Sequence, residues 1–261
     1  CSSLVKIILP SSLVKIEKET FRGCTSLSQV EIPDSVKSIG DYCFKECSSL
    51  SEISLPSSVI EICPSSFELC ISLVQIDIPD SLKRIEKETF KGCSALKSVL
   101  IPDSVTFIGK EAFRDCISLS EISIPKSVIT IEEASFMSCK SLLSVEIPDS
   151  IDRIEKETFC DCTALNQLII PPSVKVIAKS AFQECSSLTE ISIPSSVTEI
   201  GYYAFYRCSS LTNVKIPSSV KLMGSYAFYE CSSLTEIHIP SSLTSIGYYA
   251  YPENTKVIKE Y

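Results

Sequence analysis

The sequence predicts a solenoid, a rod of eleven stacked 23-residue coils. Three observations predict it. Cysteine recurs at 1, 24, 47, 70, 93, 116, 139, 162, 185, 208 and 231, with no insertion or deletion between them. Apolar residues hold the same places in every unit, and proline and serine hold two further fixed places. Self-similarity at a fixed period marks repeat architectures, in which one unit alone cannot bury its apolar side chains and stacked units can. The eleven units span residues 1–253 and read as one solenoid domain, with 254–261 as a degenerate C-terminal cap.

Counting from each cysteine as position 1, the elements of a coil follow in order. Position 4 is Leu in all eleven units, from Leu4 to Leu234. Positions 7 and 9 are Ile, Val or Leu and alternate with polar neighbours, as in Ile122-Ser123-Ile124. That period of two is the signature of a half-buried strand. Pro at position 10 ends it, since proline cannot donate to a sheet ladder. Ser is fixed at position 12 among freely varying surface residues, and it predicts a hydroxyl capping the turn after proline. Shared descent of recent copies is the other explanation. A second short extended piece runs from position 13 to position 16, as in Val197 to Ile200. A tight 3₁₀ or single-turn helical segment is expected next, as in Ala204 to Cys208. Position 21 is Phe except for Tyr251, which predicts a buried ladder of rings. The eleven register-stacked cysteines are expected to fill the core as small free thiols. Of the three extra cysteines, Cys160 stands at a polar position and is expected to be an exposed, reactive thiol.

These residues carry a family resemblance. The unit CSSLTEISIPSSVTEIGYYAFYR, residues 185–207, resembles the BspA-like (Treponema pallidum-type) leucine-rich repeat. Pro-x-Ser stands where ordinary leucine-rich repeats carry Asn, and the resemblance covers all eleven units. It implies a curved, right-handed, β-rich superhelix of β/α type with short helical or 3₁₀ turns. It also implies a non-enzymatic, protein-binding role at the cell surface, in adhesion to host matrix proteins, host cells or other microbes. An intracellular scaffold for protein–protein contacts is the alternative, and the free cysteines fit a reducing compartment as well as an oxidising one.

The chemistry-bearing residues are sparse. One His, His238, leaves no Ser-His-Asp or Cys-His constellation elsewhere. No zinc-spaced Cys/His set, phosphate loop or cofactor motif stands out, so no metal or cofactor is expected. A net charge of −8 argues against nucleic acid as the main partner. No apolar run approaches the ~20 residues of a membrane span.

Two surfaces are candidates for a protein partner. Strand-face positions 8 and 11 carry Glu31, Asp34, Asp77, Asp80, Asp103, Glu146 and Asp149, with few opposing cations. Such a face could steer a basic partner, or simply keep an exposed sheet soluble. The second is aromatic. Tyr203, Tyr226 and Tyr249 share position 19, and Tyr206 and Tyr229 share position 22, predicting two stacked ladders on one flank. They are either an interface or a stabilising stripe. A longer period of 69 residues is also visible, with IEKETF at 16, 85 and 154 and EIS at 52, 121 and 190. The oligomeric state is left open.

Overall fold

The computed structural model describes residues 1–260 as a β-solenoid of eleven coils in strict 23-residue register. Nine of the eleven coils contribute two short strands, the third and ninth contribute only the second, and all pairing is parallel between coils. The first ladder uses positions 6–8. It pairs Lys6–Ile8 with Gln29–Glu31, then Gln75–Asp77, Ser98–Leu100 and Glu121–Ser123. It resumes with Ser144–Glu146 and Gln167–Ile169, and then with Asn213–Lys215, Glu236–Pro240 and Lys256–Glu260. The second ladder uses positions 15 and 16, from Lys15–Ile16 to Ser245–Ile246. The last strand, Lys256–Glu260, pairs at a 20-residue spacing, with Lys256 opposite Glu236 and Val257 opposite the inward-facing Ile237.

The first ladder is interrupted at every third coil. Residues 52–54 and 190–192 pair with neither neighbour, and Glu121–Ser123 does not pair with Ser144–Glu146. All three breaks fall on the EIS triplet, so the 69-residue period of the sequence has a physical counterpart in a segmented sheet.

A single column of side chains fills the axis. Nine of the ten ladder phenylalanines, Phe44 to Phe228, are among the largest fully buried side chains. Successive rings stack at 5.0–5.7 Å. The Leu at position 4 and the cysteine lie beside them, and twelve of the fourteen cysteines are buried free thiols. These thiols also donate. From Cys47 to Cys231, nine Sγ atoms lie 3.1–3.3 Å from the Phe carbonyl 26 residues earlier, as Cys139 does on Phe113. Cysteine at this place is both filler and weak hydrogen-bond donor.

Three local expectations are corrected. The segment after position 16 is a chain of β-turns, with no helical turn among the described residues. Position 19 is left-handed in all eleven coils, from Glu19 (φ 59°) to Tyr249 (φ 50°), and position 23 is left-handed again in ten. Left-handed backbone costs roughly 1–2 kcal/mol per non-glycine residue. Hydrogen bonding offsets it. In the fifth coil the amides of Glu111, Phe113 and Asp115 donate to Glu133, Ser135 and Met137 of the next coil, at 2.8–3.1 Å. The intervening amides of Ala112, Arg114 and Cys116 donate three residues back. Every amide of the segment is satisfied, half locally and half across coils, which a continuous helix could not do.

The position-12 serine does bond a backbone carbonyl, but not in its own turn. Ser127 Oγ donates to Val105 O of the preceding coil at 2.7 Å, and seven other coils repeat the bond. The hydroxyl is therefore a rivet between coils. Ser219 is the exception, its buried hydroxyl unpartnered.

Cys160 is buried, contrary to the expectation of an exposed thiol. Burial, reinforced by Glu157, Glu184 and Asp161, pushes its thiol up to about 12. A protonated buried thiol is a poor nucleophile.

Candidate functional site

The two candidate surfaces separate around the coil, and their charges behave differently. On the flank of positions 18–23, ions are paired. Lys91 Nζ lies 2.6 Å from Glu111 and 3.3 Å from Glu88, and Arg114 lies 3.3 Å from Glu111. Burial alone would raise the Glu111 carboxyl, but Lys91, Arg114 and Lys110 outweigh it and hold the group below its ordinary value. Lys45 and Glu68 form a largely buried pair at 2.9 Å.

Towards the C-terminal coils the same positions become aromatic. Tyr203 stacks on Tyr226 at 5.1 Å and Tyr226 on Tyr249 at 5.6 Å. Tyr206 lies parallel to Tyr229 at 6.4 Å. The two ladders interlock edge to face, Tyr203 on Tyr206 at 5.4 Å and Tyr226 on Tyr229 at 5.5 Å. The five rings thus form one herringbone cluster. Tyr206 donates its hydroxyl to Glu230 at 2.8 Å, and Arg207 reaches the same carboxylate at 2.8 Å. Partial burial and the Glu230 charge raise the Tyr206 phenol, while Arg207 and then Tyr206 lower Glu230. Four of the five rings are half-buried; only Tyr249 is exposed.

The strand face is built otherwise. All seven predicted acids are exposed. Only Glu31 has a cation, Lys6 at 2.8 Å; Asp34, Asp77, Asp80, Asp103, Glu146 and Asp149 have none within 4.0 Å among the described residues. Ladder register sets Asp77 beside Leu100 and Glu146 beside Ile169. Near the C-terminal end the face is neutralised. Lys215 and Lys256 bond Glu260 and Glu236 at 2.9 and 3.0 Å, and His238 bridges both carboxylates at 3.1 and 2.8 Å. His238 thus works as a contact between strands.

Two clefts open where the sheet is interrupted. One, of about 420 Å³, is lined by Lys6, Glu31, Glu52, Gln75 and Asp77 around the unpaired residues 52–54. The other, of about 590 Å³, lies at the C-terminal ends of Glu121–Ser123 and Ser144–Glu146 and along the turns after them, with Asp103, Lys126, Glu146 and Asp149 on its walls. The sequence reading missed these clefts. The EIS triplet marked their places, but residue identity alone did not reveal the loss of pairing.

The model of the BspA-type leucine-rich repeat region matches residues 1–116, 83–208 and 153–260, together nearly the whole chain. The chain belongs to the BspA-type leucine-rich repeat family. Solved structures agree. A leucine-rich repeat protein from Bacteroides ovatus is 28% identical, with a TM-score of 0.81 over 100% of this chain and 79% of its own. The Treponema pallidum leucine-rich repeat protein is 33% identical, with a TM-score of 0.57 over 62% of this chain and 78% of its own. A leucine-rich cell surface protein from Faecalibacterium prausnitzii is 29% identical, with a TM-score of 0.52 over 90% and 78%. A comparison with curated proteins finds no match. No helix is long and apolar enough to cross a membrane.

Proposed function

We propose that this BspA-type repeat region is a non-enzymatic recognition module. In this reading it acts at the cell surface or outside the cell and engages proteins of a host or neighbouring cell through its strand face. The carrying observation is the set of exposed acids with no cation within 4.0 Å among the described residues, Asp34, Asp77, Asp80, Asp103, Glu146 and Asp149 on coils 2, 4, 5 and 7, beside a flank whose charges are paired. Unscreened charge of one sign favours encounter with a basic surface. The surface location is supported by the likeness to the F. prausnitzii cell surface protein. The tyrosine cluster is a second contact surface in this proposal, although its rings are largely spent on one another.

The test is solid-phase binding to a panel of extracellular matrix proteins and cell-surface extracts. The wild type is compared with a variant carrying Asp77, Asp80, Asp103, Glu146 and Asp149→Lys. Loss of binding in the variant supports the strand face; unchanged binding removes it. An intracellular scaffold is favoured by one observation, fourteen free cysteines without a disulfide. Labelling intact cells with an impermeant reagent separates the two, since a protein protected from the label is not at the surface.

A further inference from the structure

The strand face is not uniformly acidic. Leu100 and Ile169 project from position 8 and are 74% and 62% exposed, among the most exposed aliphatic side chains of the molecule. Their surroundings repeat. Leu100 sits between Asp77 and Ser123 in the ladder, with Glu121 on the Ser123 strand. Ile169 sits beside Glu146, and the next coil again carries Glu190 and Ser192. The two aliphatic residues are thus equivalent points of the 69-residue period, three coils apart. The cleft lined by Asp103, Lys126, Glu146 and Asp149 lies between them. There the sheet is interrupted, and the main chains of Glu121–Ser123 and Ser144–Glu146 make no ladder bonds to each other.

We infer that Leu100 and Ile169 are paired anchors for an extended basic peptide segment running along the solenoid axis. The segment carries apolar side chains four residues apart and a Lys or Arg midway. Geometry sets the spacing. Three coils at the inter-strand distance span about 14 Å, and four residues of extended chain at ~3.4 Å each span nearly the same. Residues i, i+2 and i+4 of an extended segment point to one side. Anchors at i and i+4 then cover Leu100 and Ile169, and a cation at i+2 falls over the cleft, towards Glu146 and Asp149. This inference rests on the strand-face reading above and adds the register and chemistry of the ligand.

The test uses synthetic fluorescent peptides with Leu at i and i+4 and Lys at i+2, titrated by anisotropy. Binding that weakens with added salt is expected, because the acids are exposed. Leu100→Ser and Ile169→Ser change exposed side chains, so the fold is retained. Each should weaken binding roughly 10- to 150-fold, the fold-change for losing burial of one aliphatic side chain. A peptide with Glu at i+2, or with its anchors at i and i+3, should bind at least about tenfold more weakly; each tenfold step equals about 1.4 kcal/mol. Equal binding of the spacing variants, or unchanged binding to the two serine variants, overturns the anchors. If binding to the serine variants is unchanged but the five-acid reversal abolishes it, the strand face stands without the anchors. If the reversal also leaves binding intact, both readings fall.

Discussion

Phe113→Ala tests whether the ring column holds the rod together. Phe113 is fully buried and stacks on Phe90 at 5.4 Å and Phe136 at 5.5 Å. Truncating a buried Phe to Ala costs about 3–5 kcal/mol, including the cavity left behind. The two lost stacking contacts supply about 1–3 kcal/mol of that, at about 0.5–1.5 kcal/mol per aromatic pair. Phe113→Leu keeps apolar bulk and should lose mainly the stacking share. Phe21→Ala should cost less than Phe113→Ala, because Phe21 has one stacked neighbour and is 4% exposed. In a solenoid each coil contacts only its neighbours, so a weak central interface should also divide the unfolding transition. Urea denaturation followed by far-ultraviolet circular dichroism measures both effects. The expected result for Phe113→Ala is a lower midpoint together with a shallower slope. A cost below about 1.5 kcal/mol, half the low end of the range for such truncations, would refute the ring column as the main source of stability. So would a cost equal to that of Phe21→Ala.

Three further outcomes are expected. Ser127→Ala should destabilise by about 1 kcal/mol, the usual net value of an intramolecular hydrogen bond, because it removes the rivet to Val105. Ser219→Ala should be neutral or stabilising, because that hydroxyl has no partner; equal costs in thermal melts would contradict the rivet. With Ellman's reagent at mildly alkaline pH, exposed Cys1 should react first and half-buried Cys63 next, while the twelve buried thiols stay silent until denaturant is added; rapid modification of Cys160 would show that its burial is wrong. Attachment of the last strand should depend on pH. Lys256 and then His238 lower Glu236, and Lys215 and then His238 lower Glu260. Groups with depressed folded values stabilise above the ordinary carboxylate range and lose that contribution as pH falls through the folded values. Hydrogen exchange at Val257 and Ile258 should therefore accelerate under acid beyond its intrinsic trend, and Glu260→Gln should flatten the difference.

The repeat, the core residues and the strand positions were legible because each coil imposes the same packing on the same place. Leu27, Ile39, Phe44 and Cys47 are buried for the reason their equivalents recur. The left-handed residues were not legible. Positive φ usually announces itself through Gly or Asn, yet position 19 holds Glu, Tyr, Ser and Ala. Only Gly23 and Gly92 give a glycine signal at position 23. The inter-coil amide bonds enforce the conformation, and they arise only after stacking. Cys160 was misplaced for a related reason. Its position is polar in most coils, but small side chains on this flank are buried, as Ser65, Ala134, Ser138 and Cys160 are.

The contrast between the two surfaces bears most on function. Coils repeat about 4.8 Å apart in a parallel ladder, so any column of like charge repels itself unless it is interleaved with the opposite sign. The flank shows the remedy, with Lys91 set between Glu88 and Glu111. The C-terminal strands show it again in Lys215, Lys256 and His238. On the strand face Asp80 and Asp103 occupy one column in successive coils with no cation within 4.0 Å among the described residues. Like charges placed side by side across strands are destabilising. Solubility alone does not require them, since mixed charge would protect the face as well and without repulsion. The cation of that column, Lys126, stands between Asp103 and Asp149 and pairs with neither within 4.0 Å; under the proposed function the charge left on Asp80 and Asp103, beside exposed Leu100, is neutralised by something outside the chain.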